Sequence, residues 1–95
     1  MIQRAPKVTF ALFAYNQGDY VSEAVKGAFE QTYSPLEIIL SDDGSTDKTA
    51  DILQAMAYEY RGPHNIILNL NNTNLGLAGL INKILDLASG ELFVI

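Results

Sequence analysis

Apolar residues in this chain change their spacing in a regular order, and that order restricts the fold more than any other feature. Val8 to Tyr15 (VTFALFAY) is a nearly continuous apolar and aromatic run, the pattern of a strand buried on both faces. Asn16-Gln17-Gly18 breaks it. Asp19 then stands at an N-cap position ahead of Val21, Ala24, Val25, Ala28 and Phe29, whose spacing predicts a helix ending near Gln31. Ser34-Pro35 forbids its continuation, and Leu36 to Leu40 reads as a second strand closed by the polar stretch Ser41 to Thr46. A second helix is predicted from about Asp47 to Tyr60, stopped by Arg61-Gly62-Pro63-His64. His64 has no Cys or second His with which to share a metal, and reads as an exposed loop residue. Asn65 to Leu70 is a third strand, followed by the loop NNTNLG and a helix from about Leu77 to Ala88, with Gly90 at an expected left-handed C-cap. Glu91 to Ile95 begins a fourth strand.

Strand and helix in strict alternation describe βαβ units. The expected fold class is α/β, three layers (α/β/α) around a mostly parallel, Rossmann-like sheet. In such sheets ligands bind just beyond the carboxyl ends of the strands. The chain ends on an apolar run at such a place, so it reads as the N-terminal piece of a larger domain.

Composition narrows the chemistry. The 95 residues include no Cys, which removes disulfides, thiolate metal sites and cysteine nucleophiles. Six Lys and Arg against eleven Asp and Glu do not make a footprint for nucleic acid. The start MIQRAPKVTF has no long apolar stretch, so no signal peptide is expected. No segment approaches the roughly 20 apolar residues of a membrane span, and a cytoplasmic location is expected.

Three loops follow the first three strands: Tyr15 to Gly18, Asp42 to Thr46, and Asn71 to Gly76. A parallel sheet puts all three on one edge, two of them close to helix N-termini that suit a phosphate, so the constellation suggests a nucleotide site. One carboxylate of Asp42-Asp43 can accept a hydrogen bond from a base imide, or the group Asp42, Asp43, Ser45, Thr46 and Asp47 can simply cap the helix that follows. Tyr15 can stack on a base or pack as a core aromatic. Asn16 and Asn74 can bond a ribose or form Asx turns, and Gly76 can admit a phosphate or serve a tight turn. The dinucleotide and P-loop fingerprints, a calcium loop and a G-x-S-x-G elbow are all absent.

The runs VTFALFAYN, EAVKGAFEQTYSPLEIILSDDGSTDKT and NLGLAGLINKILDLASGELFVI resemble, in order and spacing, the opening of family 2 glycosyltransferases of the GT-A fold. The resemblance spans Lys7 to Ile95 and rests above all on DDGSTDKT after QTYSPLEIIL, with the later N-x-G-x-A and Gly90-Glu91. It implies an inverting transferase that moves a sugar from a nucleotide-diphosphate donor, usually a UDP- or dTDP-sugar, to a saccharide or lipid-linked acceptor. It implies nucleotide binding by Phe13, Ala14, Tyr15, Asn16, Asp42, Asp43, Asn74 and Gly76, with Asp43 and the segment Phe13 to Asn16 holding base and ribose. The D-x-D motif for Mg²⁺ or Mn²⁺ follows the strand matching ELFVI and the catalytic base lies further on, so residues 1–95 are expected to carry no catalytic or metal ligand and to be inactive alone. Many members have Pro-Thr in place of Phe13-Ala14, and Arg in place of Ile81. Lys83 lies about 200° around the helix from Ile81. The full protein can be peripheral at the inner face of the membrane, and the short chain is expected to self-associate through exposed edges. The alternative reading is a small non-catalytic α/β module; a pyrophosphorylase-type nucleotidyltransferase lacks its Gly-rich basic signature here.

Overall fold

The computed structural model describes residues 6–88, together with the backbone of 91–94. Seven elements alternate as expected: β1 (Val8–Ala14), α1 (Val21–Phe29), β2 (Leu36–Asp43), α2 (Thr49–Glu59), β3 (Asn65–Asn71), α3 (Gly76–Leu87) and β4 (Glu91–Val94). The sheet runs in the order β3-β2-β1-β4 with every neighbouring pair parallel. Strand order therefore reverses between β1 and β4, which is the switch point of an open α/β sheet. Gly90 and Ile95 lie outside the described residues. Among the described residues no helix is long and apolar enough to cross a membrane.

Alternation along the strands assigns the two faces. Leu12 and Ala14 of β1 join Leu36, Ile38 and Leu40 of β2 beneath Val21, Val25 and Ala28 of α1 and Leu53 of α2. On the opposite face Ala11 and Ile39 pack against Ile84 of α3, with Phe13, Ile67 and Leu87 alongside. β2, paired on both edges and covered on both faces, is buried along its whole length. That is why a run such as LEIIL carries no polar alternation.

The first two helices are shorter than the periodicity predicts, and α3 keeps the expected length one residue earlier. Asp19 does not cap α1. The amides of Tyr20 and Val21 both donate to the Gln17 carbonyl, at 2.9 and 2.8 Å, so a backbone turn serves instead. Asp19 pairs across the surface with Lys48 at 3.5 Å. At the far end of α2, His64 is buried rather than exposed, at 8% of its free surface. Its Nε2 bonds the Gln31 carbonyl at 2.6 Å, and since a carbonyl only accepts, that nitrogen carries the proton. The Tyr60 hydroxyl accepts from the His64 amide at 2.9 Å, and the Tyr60 ring lies stacked on the imidazole and tilted against Phe29. His64 thus ties the end of α1 to the turn entering β3. Replacing it with Ala leaves the Gln31 carbonyl and the Tyr60 ring without their partner. The expected loss is about 1–3 kcal/mol of unfolding free energy, measurable by urea denaturation.

Candidate functional site

Parallel register brings the strand ends together. Ala14 lies beside Asp42, Asp42 beside Leu70, and Asp43 beside Asn71, so the three following loops leave the sheet at one edge. The first two loops are stitched to each other by hydrogen bonds. Asn16 adopts a left-handed backbone, φ 49°, which Asn tolerates better than most residues. In that conformation its amide donates to Ser45 Oγ at 2.8 Å while its Oδ1 accepts from the Thr46 amide at 2.9 Å. The Gln17 amide donates to Thr49 Oγ1 at 2.8 Å and the Gly18 amide to Asp47 Oδ2 at 3.0 Å.

Asp47 also accepts from the Thr49 amide at 2.9 Å and from the Thr49 hydroxyl, which makes it the side chain that caps the start of α2. These bonds, those from Thr49 foremost, favour the ionised form and hold the Asp47 carboxyl below the usual carboxylate range.

The adjacent carboxylates Asp42 and Asp43 serve opposite faces of the sheet. Asp42, 1% exposed, closes its own loop by accepting from the Ser45 amide at 2.9 Å and from the Ser45 hydroxyl. Asp43, 3% exposed, reaches the third loop instead: Oδ1 accepts from the Leu75 amide at 2.7 Å and Oδ2 from the Gly76 amide at 3.1 Å. The capping alternative is therefore realised in a form the sequence did not suggest, because Asp43 caps α3 rather than α2. Asn74 forms an Asx turn, its Oδ1 accepting from the Gly76 amide at 2.8 Å. Tyr15 is 44% exposed and open to a stacking partner, so it is not a core aromatic. Phe13 is half-buried on the α3 face, and Ala14 is buried on the other.

Two contributors escaped the sequence reading. Gly44, at φ 75°, lies so close to the third loop that a Cβ would fall 2.7 Å from the Thr73 carbonyl carbon and 2.9 Å from the Asn74 nitrogen. Asn71 donates from Nδ2 to Asp43 Oδ1 at 3.4 Å and accepts from Asn69 Nδ2 at 3.3 Å. The signal for Asn71 was present as period-two polarity, Ser41 and Asp43 on one strand and Asn69 and Asn71 on the next.

Among the described residues no three carboxylate or imidazole groups come together as a cation site. The oxygens of Asp42 and Asp43 are engaged by Ser45 and by the start of α3. These residues do not fit a divalent metal.

An open parallel sheet whose three loops meet at its carboxyl edge defines the class as α/β, and sequence and structure comparisons narrow that class. The family model for glycosyl transferase family 2 matches residues 9–95. The chain is 34% identical over 89 residues to a chondroitin synthase of Escherichia coli, covering 94% of this chain and 12% of that protein. It is 39% identical over 84 residues to the E. coli UDP-Glc:alpha-D-GlcNAc-diphosphoundecaprenol beta-1,3-glucosyltransferase WfaP, covering 88% of this chain and 32% of the relative. Among solved structures, the mannosyltransferase PcManGT from Pyrobaculum calidifontis, in complex with GDP-Man and Mn²⁺, superposes with a TM-score of 0.83 at 27% identity. That likeness covers 94% of this chain and 26% of the neighbour. The chain belongs to glycosyl transferase family 2, and its α/β architecture matches part of a GT-A mannosyltransferase.

Two substitutions test the packing of the loops. Gly44→Ala forces a Cβ onto backbone at a left-handed φ and should cost more than about 1 kcal/mol. Gly27→Ala, in α1 with nothing within 4 Å of the new Cβ, should stabilise by about 0.5–1 kcal/mol. Chemical denaturation of the pair distinguishes them by sign. The stabilisation from Asp47 should be full above the ordinary carboxylate range and be lost as pH falls through its lowered value. The stability gap between wild type and Asp47→Ala should accordingly narrow on acidification.

Proposed function

We propose that residues 1–95 form the donor-binding part of a glycosyltransferase that takes a UDP- or dTDP-sugar. The observation that carries this reading is the meeting of three loops at one sheet edge, joined through Asn16, Ser45 and Asp43. In this reading Asp43 accepts the imide N–H of the base, and Tyr15 stacks on the ring. Phe13, Ala14 and Asn16 line base and ribose through backbone and amide groups, while Asp42 keeps the second loop closed around them. The turn Asn74 to Gly76 meets the diphosphate. Family membership supports a nucleotide-sugar donor, as does the GDP-Man bound by the archaeal neighbour. An acceptor-only carboxylate suits uracil, thymine or guanine, each of which presents a ring N–H, and disfavours adenine.

The chain spans 12% and 32% of the two E. coli relatives, so sugar transfer is proposed for the protein in which this part works. The reading assigns no catalytic acid or base to these residues. Mg²⁺ or Mn²⁺, if used as in the neighbour named for its Mn²⁺ complex, would neutralise the leaving diphosphate. The D-x-D that the family resemblance puts after the strand matching ELFVI would hold it. A saccharide or lipid-linked acceptor, a role in polysaccharide assembly and a cytoplasmic site, peripheral to the membrane for a lipid-linked acceptor, complete the proposal; the lipid link is supported by the name of WfaP. Self-association of the 95-residue chain belongs to the same reading, through the exposed Leu77 and Leu85 of α3.

Calorimetric titration tests the site. UDP should bind, and Asp43→Ala should weaken it roughly ten-fold or more, the value of a hydrogen bond to a charged group. Equal affinity in the mutant removes Asp43 from the site, and tighter binding of ADP than of UDP, dTDP or GDP overturns the base assignment.

A further inference from the structure

The outer edge of β3 carries none of the usual protection. Among the described residues β3 pairs only with β2, so Asn65–Asn71 presents alternate backbone N–H and C=O groups to the side of the sheet. Its sequence, NIILNLN, holds no charge and no Pro, the devices that keep an edge strand single. Asn69 and Asn71 turn their amides inward, to Ser41 and Asp43, rather than across the edge. The strand is also nearly its own reverse. An antiparallel second copy centred on Leu68 sets Asn65 opposite Asn71, Ile66 opposite Leu70 and Leu68 opposite itself, and only Ile67 meets an unlike residue, Asn69. Opposed residues of an antiparallel pair point to the same face, so Ile66, Leu68 and Leu70 of both copies make one continuous apolar row on the α2 face. Leu70, 39% exposed in the single chain, is covered there by Ile66 of the second copy.

The helix above this edge leaves room for such pairing. α2 lies over both β2 and β3. α1 takes one flank of it, where the Phe29 and Tyr60 rings meet and line a small cavity with Met56 and Glu59. At about 100° per residue, the flank turned away from α1 holds Ala50, Gln54 and Tyr58, which carry no charge, and Tyr58 is exposed. With α2 centred between the two strands, a two-fold axis through Leu68 and normal to the sheet puts the two α2 axes about 10 Å apart, the ordinary separation of packed helices.

We propose that β3 is a dimerisation edge: two copies of this chain pair β3 to β3, antiparallel about Leu68, into one sheet with the two α2 helices side by side. The surface is self-complementary, so association closes at two copies. Contacts through Leu77 and Leu85 of α3 are separate from it, because α3 lies on the other sheet face. A strand edge and one helix flank make a small interface, which sets the affinity in the micromolar range. The formal net charge of −5 on each copy opposes it, so association tightens as salt screens that repulsion.

Sedimentation equilibrium and single-cysteine cross-linking of the 95-residue chain test the pairing. The wild-type protein should pass from monomer to dimer at micromolar concentration, more tightly at higher salt. Leu70→Lys should weaken the dimer roughly ten-fold or more through the lost apolar contact, although the added cation lowers the repulsion between copies. Leu77→Lys/Leu85→Lys should keep the dimer and lose any larger species. Because the chain has no Cys, one introduced thiol reports one position. Leu68→Cys faces its own mate within disulfide reach and should cross-link on oxidation. Asn65→Cys, about 20 Å from its mate in this register, should not. A wild-type chain that stays monomeric at millimolar concentration overturns the proposal. So does a dimer that Leu70→Lys leaves intact and the α3 double variant abolishes, or cross-linking of the two cysteine variants at equal rates. Should Leu70→Lys fail to fold, the cysteine pair still decides the register.

Discussion

Everything at the candidate site depends on the parallel register of β1, β2 and β3. Because Ala14, Asp42 and Leu70 are neighbours across the sheet, residues separated by some thirty positions in sequence leave the sheet at the same height. Antiparallel pairing would have sent alternate loops to opposite ends. Once the ends are level, short side chains such as Asn16, Ser45 and Asp47 suffice to join one loop to the next, and no long flexible residue has to bridge them.

The two sheet faces then divide the work. Aliphatic side chains under α1 and α2 make one continuous core. Under α3 the apolar contact is narrower, centred on Ala11, Ile39 and Ile84, and toward the carboxyl edge of the sheet it gives way to Ser41, Asn69 and Asp43. All three are buried. Burial of such groups is tolerable only when each has a partner, and here each has one. The start of α3 is held by a carboxylate from the sheet as well as by its own Asn74, so its position follows β2.

Element types and order were legible because a buried parallel strand and an amphipathic helix write different periods. Contacts between elements were not. Asp19 has the right identity and position for an N-cap, but the chain turns one residue later, and the Gln17 carbonyl takes the amides first. His64 follows Gly and Pro in a stretch that reads as surface, and its burial depends on Gln31 and Tyr60, which sequence spacing does not bring near it. The Asp42-Asp43 pair was visible as more acid than one cap requires. That the excess serves α3 follows only from the fold.

That pair also carries a constraint on folding accuracy. Adjacent residues of a strand point to opposite faces, so Asp42 closes the second loop and Asp43 caps α3 because β2 is seated in one register. A slip of β2 by a single residue would turn every side chain of the strand to the other face: one aspartate would fall into its neighbour's place while the other was carried to a position with neither task. The identical pair therefore does not protect against misregister, because any one-residue slip leaves either the second loop or the start of α3 without its acceptor.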